Sequence, residues 1–314
     1  FWGHPAMKLP PDVNLLAVAH YLQALDVQNL ANKVVAILGG KSPHIQNVAV
    51  GGVSNSIGFD APSVLNLERL LLVKGFIDKL EQFIKSAYLV DVPAIGAFYL
   101  DWTKYGGGIN NYLTVPDCPQ DTKGTVFDLP GGFIAGGDLK SFKPITTFND
   151  EFFRDGVAES SKHAWYTGDK ALHPWQGETE PQYTDFQDDG KYSWVKAPTF
   201  YGKRCEVGPL ADVHNGIAAG NPRYTKYLNQ AIGTLKAVSK LNDVPLAALQ
   251  STIGRHAARA VRCAVMMDTL QDQWHKLVDN IGKEQTTFNP PTFPKGEIKG
   301  VGFHQAPRGA LSHW

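Results

Sequence analysis

Apolar residues repeat at helical spacing in the first part of the chain, and this repeat constrains the fold more than any other feature. Pro11 and Asp12 are typical of a helix start, and the helix that they open should end at Gly39-Gly40. Its apolar positions are Leu15, Val18, Leu22, Leu25, Leu30, Val34 and Leu38. A second helix is predicted from about 63 to 87, closed by Pro93, with one side formed by Leu67, Leu70, Val73, Ile77, Leu80 and Ile84.

The pattern changes from about residue 94 to residue 201, where clusters of Gly, Pro, Asp and aromatic residues replace the helical spacing. These clusters include Gly106-Gly107-Gly108, Pro130-Gly131-Gly132 and Pro174-Trp175. Short runs at 124–129 and 192–196 have strand character. This segment is therefore predicted to form loops and small antiparallel strands.

Helical spacing returns at about 209–219, 224–241 and 246–281, and the last helix is predicted to restart at Ser251 or Thr252, either of which can cap it. The chain is irregular from Gln285 onward. The predicted fold class is mainly α with a strand-bearing insertion, an α+β arrangement. All 314 residues are predicted to belong to one domain, with helical stretches at 10–90 and 207–283, the insertion at about 94–201 and a closing segment at 300–314.

Composition excludes some partners and leaves others open. Lys plus Arg and Asp plus Glu each number 30, so no net positive field favours a nucleic acid, and none is expected as a partner. Hydrophobic residues make up 43% and charged residues 19%, which fits either a large core or a large buried interface. The apolar stretches 14–25 and 65–76 are short and interrupted by polar residues, so no transmembrane segment is predicted.

Local metal and nucleotide motifs are not found in the sequence. Cys118, Cys205 and Cys263 lie far apart without C-x-x-C spacing, which disfavours structural zinc and a disulfide framework. The 10 His residues are dispersed. Gly39-Gly40-Lys41-Ser42 is similar to the end of a phosphate-binding loop, but Val35 stands where its first glycine would be and a helix precedes it.

Seven stretches, in order along the chain, resemble the large subunit of nickel-iron hydrogenases, most closely the membrane-associated uptake type. They are GHPAMKLPP at 3–11 with VAHYL at 18–22, LGGKSPHIQN at 38–47, GGV at 51–53, YSW at 192–194 with Lys196 and Pro198, EVGPLA at 206–211, STIGR at 251–255, and GFHQAPRGALSHW at 302–314. Each motif alone is weak evidence of kinship. Their order across nearly the whole length of the chain makes the resemblance specific.

The resemblance implies an enzyme that cleaves H2 reversibly and heterolytically, passing electrons to iron-sulfur clusters in a small partner subunit. In this family, thiolates from two C-x-x-C motifs hold a nickel-iron centre whose iron carries diatomic ligands. Neither motif is in this sequence, so the three cysteines are not expected to be nickel ligands and the chain alone is expected to be inactive. Phe1 is expected to mark where a longer chain was cut, with precursor processing as the alternative.

The closing segment carries the residues closest to the chemistry in this family. By resemblance, Arg308 points its guanidinium across the open coordination site, and Pro307 and Gly309 fix the backbone beside it. Positioning and electrostatics are expected to be its main role, because a guanidinium gives up its proton very reluctantly and is a poor base. Gln305 stands where the family usually has Glu, which leaves the electrostatics around this arginine open.

Roles are predicted for four further residues. By resemblance, His44 faces the nearest iron-sulfur cluster of the small subunit, and the alternative is a histidine that caps the turn after Gly39-Gly40. Lys196 and Glu206 match an inner polar shell near a hydrated magnesium ion, and a plain buried ion pair is equally expected. Arg255 is expected to lie on a closely packed helix.

Two other functional classes stay open on the sequence. One is a non-catalytic relative of the quinone-side subunit of respiratory complexes, and the other is a scaffold that only binds the small subunit. Maturation proteins are further expected partners of the enzyme. The expected location is the periplasmic side of the cytoplasmic membrane, attached through partners, and the alternative is the cytoplasm.

Overall fold

The computed structural model describes residues 3–58, 61, 63–121, 123–177, 179–285 and 288–314. The chain is α+β, as predicted, and forms two compact units. The first unit comprises Phe1–Thr103, Lys226–Ala248 and Arg259–Lys295, and the second comprises Lys104–Thr225, Leu249–Ala258 and Gly296–Trp314. The prediction of a single domain stays a prediction.

Long helices make up the first unit. Helix α1, Pro11–Gly39, has Pro at its start and ends where Gly40 adopts the left-handed conformation (φ 80°), as the sequence predicts. Helix α2, Leu67–Phe83, is capped by Asn66, whose side chain accepts a hydrogen bond from the Arg69 N–H at 2.9 Å. A π-helical turn, Ile84–Tyr88, leads into α3, Leu89–Gly96, and a 3₁₀ segment, Ala97–Lys104. Most of α6, Pro222–Ser239, and of α7, Thr252–Gly282, also belongs to this unit.

The prediction that Pro93 closes the second helix is wrong, because Pro93 lies inside α3. The missing N–H of Pro93 removes only one backbone hydrogen bond. Pro93 also lies in the second turn of α3, which begins at Leu89 directly after the π turn. The core beneath these helices is formed by Val34, Val73, Ile77, Leu80 and Met267.

The continuous helical run Leu67–Lys104 is longer than the stretch judged from the sequence. By length and composition alone it could cross a membrane, with a mean hydropathy of 1.3 and 22% of its most apolar 18-residue window buried. A single such run is weak support for a membrane span, because buried core helices have the same composition.

Small antiparallel sheets form the second unit. The largest have the strand orders β3-β6-β7 and β10-β8-β9. The strands of these two sheets are β3 Tyr112–Thr114, β6 Gly131–Ile134, β7 Lys143–Ile145, β8 Val157–Ser160, β9 Ala171–Leu172 and β10 Ala197–Phe200. The other strands of the chain are β1 Val48–Ala49, β2 Gly52–Val53, β4 Asp117–Pro119, β5 Phe127–Leu129, β11 Gly302–Ala306 and β12 Gly309–His313, of which β1 and β2 belong to the first unit.

Two details of the insertion differ from the prediction. The strand expected at 192–196 lies at Ala197–Phe200, where it pairs with β8, and a short helix, α4, occupies Glu151–Gly156. A longer helix of this unit is α5, Pro209–Ala218, close to its predicted position. At the start of α7 the Ser251 hydroxyl accepts a hydrogen bond from the Gly254 N–H at 3.0 Å, so Ser251 is the cap. The core of the unit is formed by Leu113, Val115, Phe133, Ile145, Phe153, Phe200 and Phe303.

A single lysine fixes part of the insertion. The Lys191 ammonium lies 2.8–3.0 Å from the carbonyl oxygens of Ser161, Ala164, Tyr166 and Gly168, which share its three N–H donors. Four carbonyls around one ammonium form a cage like that of a bound monovalent cation, and the loop from 161 to 168 folds around it.

We predict that Lys191→Met lowers the free energy of unfolding by about 2–3 kcal/mol, because it leaves several carbonyls without their charged donor. Ammonium or potassium ions at high concentration should restore part of this loss in Lys191→Ala, where the cage is empty, and less in Lys191→Met. Denaturant unfolding with matched sodium controls measures both effects. Equal stability of Lys191→Met and the unmodified chain would contradict the cage.

Candidate functional site

The closing segment folds into a hairpin that presents Arg308 at its tip. Strands β11 and β12 pair so that Ala306 faces Gly309, which leaves Pro307 and Arg308 as a two-residue turn. The Arg308 side chain is exposed. Phe303 anchors the other end of the hairpin in the core, 5.1 Å between ring centroids from Phe153. The hairpin is therefore fixed at its base, and the guanidinium at its tip is free of the core.

Two glycines let the start of α5 approach the hairpin tip. A Cβ at residue 208 would lie 2.7 Å from the Arg308 carbonyl oxygen, and one at residue 309 would lie 2.2 Å from Val207 Cγ2. Gly208 also has φ 97°, a conformation that favours glycine. The backbone of 207–208 thus lies directly against the backbone of 308–309, and Pro209 begins α5 immediately afterward.

Gln305 is buried beneath the tip, with 3% of its surface exposed. Its side-chain oxygen accepts a hydrogen bond from the Val115 N–H at 3.1 Å, and its Nε2 donates to Asp212 Oδ1 at 2.7 Å. Its backbone N–H donates to Asp117 Oδ2 at 2.7 Å, and that oxygen also lies 2.8 Å from His304 Nδ1. Gln305 therefore connects the hairpin to the end of β3 and to the first turns of α5.

Glu206 pairs with Arg255. The guanidinium donates from Nε to Glu206 Oε1 and from Nη2 to Oε2, each at 2.6 Å, and also to the carbonyls of Gly106 and Gly107. The hydrogen bonds to Glu206 raise the pKa of Arg255 above its ordinary value. The expectation that Arg255 serves core packing is therefore incomplete, since its charged group holds Glu206 and the glycine loop.

Lys196 does not contact Glu206. Its ammonium donates to Thr179 Oγ1 at 2.9 Å and lies 5.1 Å from the centroid of the Tyr166 ring. The two residues that sequence reasoning grouped together thus have different partners. In the first unit, His44 is exposed in the loop between α1 and β1.

Sequence reasoning missed the polar residues of α5. Helix α5 is buried from Pro209 to Gly216, yet it carries Asp212, His214 and Asn215. The His214 ring stacks on Tyr112 at 4.3 Å and its Nδ1–H donates to the Leu210 carbonyl at 2.9 Å. Burial lowers the pKa of His214 and raises that of Tyr112 to about 12, so both rings are neutral at pH 7. Polar residues at three positions of an otherwise apolar helix were the available signal.

The three cysteines are half-buried and form no disulfide. Burial raises the pKa of Cys205 to about 11 and also raises that of Cys263, which disfavours the thiolate that a metal needs. Among the described residues, no group of three or more His, Cys, Asp or Glu side chains is arranged to hold a metal ion. The side chains described here therefore do not fit a complete ligand set for a nickel-iron centre.

Comparison with known proteins decides the family. The family model "Nickel-dependent hydrogenase" matches residues 1–314. The chain belongs to the nickel-dependent hydrogenase family. The "Hydrogenase-2 large chain" of Escherichia coli (strain K12) is 53% identical over 316 residues, which cover 100% of this chain and 56% of that protein. The "Uptake hydrogenase large subunit" of Bradyrhizobium diazoefficiens is 40% identical over 344 residues, covering 100% and 55%.

The fold agrees with solved hydrogenases. The [NiFeSe] hydrogenase of Desulfovibrio vulgaris Hildenborough, in the as-isolated oxidised state, superposes with a TM-score of 0.74 at 26% identity, over 98% of this chain and 58% of that chain. The resemblance to a hydrogenase large subunit is thereby confirmed. The chain spans about half the length of the curated relatives that it matches.

We predict that Gly208→Ala lowers the free energy of unfolding by about 3 kcal/mol, because the added methyl meets the Arg308 carbonyl and the backbone angle is strained. Gly202→Ala is the control, since Gly202 has φ 71° and nothing within 4 Å of the added carbon, so it should cost about 1 kcal/mol. Denaturant unfolding of both variants measures the difference. Equal losses would show that the contact with Arg308 carries no weight.

Glu206→Gln is expected to cost about 2 kcal/mol of stability, because it leaves the Arg255 guanidinium without its carboxylate in a partly buried site. Lys196→Gln should cost less, about 0.5–1 kcal/mol, since that ammonium makes one neutral hydrogen bond and one contact with the face of the Tyr166 ring. Thermal unfolding of the two variants side by side distinguishes them. A larger loss for Lys196→Gln would contradict the pairing of Glu206 with Arg255.

Proposed function

We propose that this chain is part of the catalytic large subunit of a nickel-iron hydrogenase, which cleaves H2 heterolytically and reversibly and passes the electrons to a small iron-sulfur subunit. Family membership and 53% identity to a protein named as a hydrogenase large chain support the proposal. The observation that carries it is the exposed Arg308 at the tip of a hairpin whose backbone is fixed on both sides.

A nickel-iron centre with diatomic iron ligands supplies the metal chemistry of H2 cleavage, and its thiolates belong to large-subunit sequence outside this chain. What the described residues contribute is a cation at a fixed place. Arg308 supplies a guanidinium whose N–H donors form a planar fork. Held over a reacting bond, such a group stabilises developing negative charge without reorganisation, which is the effect of a preorganised donor.

Pro307 and Gly309 flank Arg308 in this proposal and limit the conformations of the turn. Pro307 has a fixed φ, and a side chain at residue 309 would collide with Val207. The backbone position from which the guanidinium extends is therefore fixed on folding rather than during catalysis.

The remaining sequence-based assignments belong to the same proposal. We propose that His44 faces the nearest iron-sulfur cluster of the small subunit, and its exposure leaves the ring accessible to such a partner. Glu206, held by Arg255, and Lys196 are proposed to lie in the polar shell near a magnesium ion. The helical stretches are proposed to form the multi-helical body of the subunit, with 94–201 as its insertion.

Assembly and location are inferred from the same relatives. We propose that maturation proteins load the metals and that the enzyme acts on the periplasmic side of the cytoplasmic membrane, attached through its partners. Similarity to proteins named uptake hydrogenase large subunits supports this, and a cytoplasmic location is the alternative.

Arg308→Lys tests the catalytic role in the full-length subunit, co-expressed with its small subunit and the maturation machinery. We expect H2-dependent dye reduction to fall about 100-fold, because a lysine lacks the planar fork of donors, while nickel content stays at the level of the unmodified enzyme. Arg204→Lys is the control, since Arg204 is exposed in a loop of the same unit. Unchanged turnover in Arg308→Lys would contradict the role of Arg308 and favour the scaffold alternative.

A further inference from the structure

We propose that Gln305 is a positioning residue for Arg308, and that it acts through a charge-matched hydrogen bond to Asp212. The inference rests on the proposed role of Arg308 and adds a requirement for the residue that stands three positions before it. Where the family usually has Glu, this chain needs an amide, because its partner on α5 is a carboxylate.

The first step is the number of points at which the hairpin is attached to α5. Gly208, immediately before α5, lies against the Arg308 carbonyl, and Asp212, in the first turns of the helix, accepts from Gln305. The Asp212 N–H donates to the Gly208 carbonyl at 2.9 Å, so both attachment points belong to the same helical turn. Two contacts between the same pair of elements fix their direction as well as their distance.

The second step is the chemistry of the buried pair. Gln305 and Asp212 are 3% and 4% exposed, so water does not screen them. An amide offers one acceptor and two donors, and Gln305 uses its oxygen for the Val115 N–H and its Nε2 for the carboxylate. A glutamate at position 305 could still accept a hydrogen bond from the Val115 N–H. Its second oxygen, however, would replace the Gln305 Nε2 that now lies 2.7 Å from Asp212 Oδ1, and so bring two carboxyl groups into contact. Two carboxyl groups at such a distance share a proton, and the pKa of the pair rises.

The third step is the position of Asp212 on its helix. It lies in the first turn of α5, where the helix dipole and free N–H groups favour a negative charge. The carboxylate is therefore suited to residue 212, and residue 305 must adapt to it. Since Ala306 and Gly309 pair on either side of the turn, a shift at Gln305 is transmitted directly to Arg308.

A swap experiment tests the pair. Gln305→Glu, Asp212→Asn and the double variant are made in the full-length subunit with its small subunit, and Gln176→Glu, at an exposed glutamine of the same unit, is the control. Hydrogen exchange of residues 302–313 reports the order of the hairpin without any dependence on the metals. H2-dependent dye reduction reports the consequence for turnover.

Gln305→Glu should accelerate exchange in the hairpin about 10-fold or more and lower turnover about 10-fold, while Gln176→Glu changes neither. Asp212→Asn should have a smaller effect, because its oxygen still accepts from Gln305. The double variant should recover most of both losses, since the amide introduced at position 212 can donate to the carboxylate introduced at position 305. If Gln305→Glu does not fold, the test compares Asp212→Asn with the double variant. The proposal then requires that hydrogen exchange in the hairpin of the double variant is no faster than in Asp212→Asn.

The melting temperature of Gln305→Glu should depend on pH with a defined sign. The folded pKa of the carboxyl pair is raised, so the variant loses stability as the pH rises from the pKa of an unfolded carboxyl through the pKa of the folded pair. The titratable groups that face the introduced carboxyl are Asp212 on α5, Asp117 on β4 and His304 beside it.

Three outcomes would overturn the proposal: exchange and turnover unchanged in Gln305→Glu, no recovery in the double variant, or faster exchange with full turnover. The last outcome would leave a structural link without a positioning role. Failure of the proposed function is distinguishable, because in that case Arg308→Lys itself leaves turnover unchanged while the exchange pattern of the swap series persists.

Discussion

The Arg308 carbonyl oxygen occupies the space that a side chain on residue 208 would fill, and the position of the hairpin tip in the second unit depends on this close approach. It joins the start of α5 to the tip of the hairpin, which are about 100 residues apart in sequence (208 and 308). A contact between two backbones has no rotamers, so it fixes position more tightly than a contact between long side chains. The Arg308 side chain is exposed, yet the backbone that carries it is held against the backbone of Gly208.

Buried polar groups around α5 are matched to one another in charge and in hydrogen-bonding capacity. His214 is kept neutral by burial and donates to a carbonyl, and the Gln305 amide meets the Asp212 carboxylate. Glu206 has a bidentate guanidinium partner. Such pairs specify one arrangement of hairpin, helix and sheet, because any shift would leave a polar group without its partner in a region that excludes water.

In the helical unit, charged side chains are likewise matched to partners at the π turn. Lys85 lies in that turn and donates to Asp268 at 2.5 Å and to Glu81, and the Tyr227 hydroxyl donates to Asp268 at 2.8 Å. From this turn the Lys85 side chain reaches a carboxylate on α7. By contrast, Leu15 and Leu22 on α1 remain exposed.

Local signals in the sequence determined the elements and the family. Pro11, Gly40 and Ser251 set helix ends because each acts within one turn of its own position. The ordered motifs, of which the last contains Ala306-Pro307-Arg308-Gly309, indicate the family without any knowledge of contacts. The tertiary structure alone decided the partners. Arg255 and Glu206 are 49 positions apart, and Gln305 and Asp212 are 93 apart, so no local pattern links them. The amide at 305 was visible in the sequence only as a departure from the family. Its reason, a carboxylate across a buried contact, exists only once the folded chain brings the two side chains within hydrogen-bonding distance.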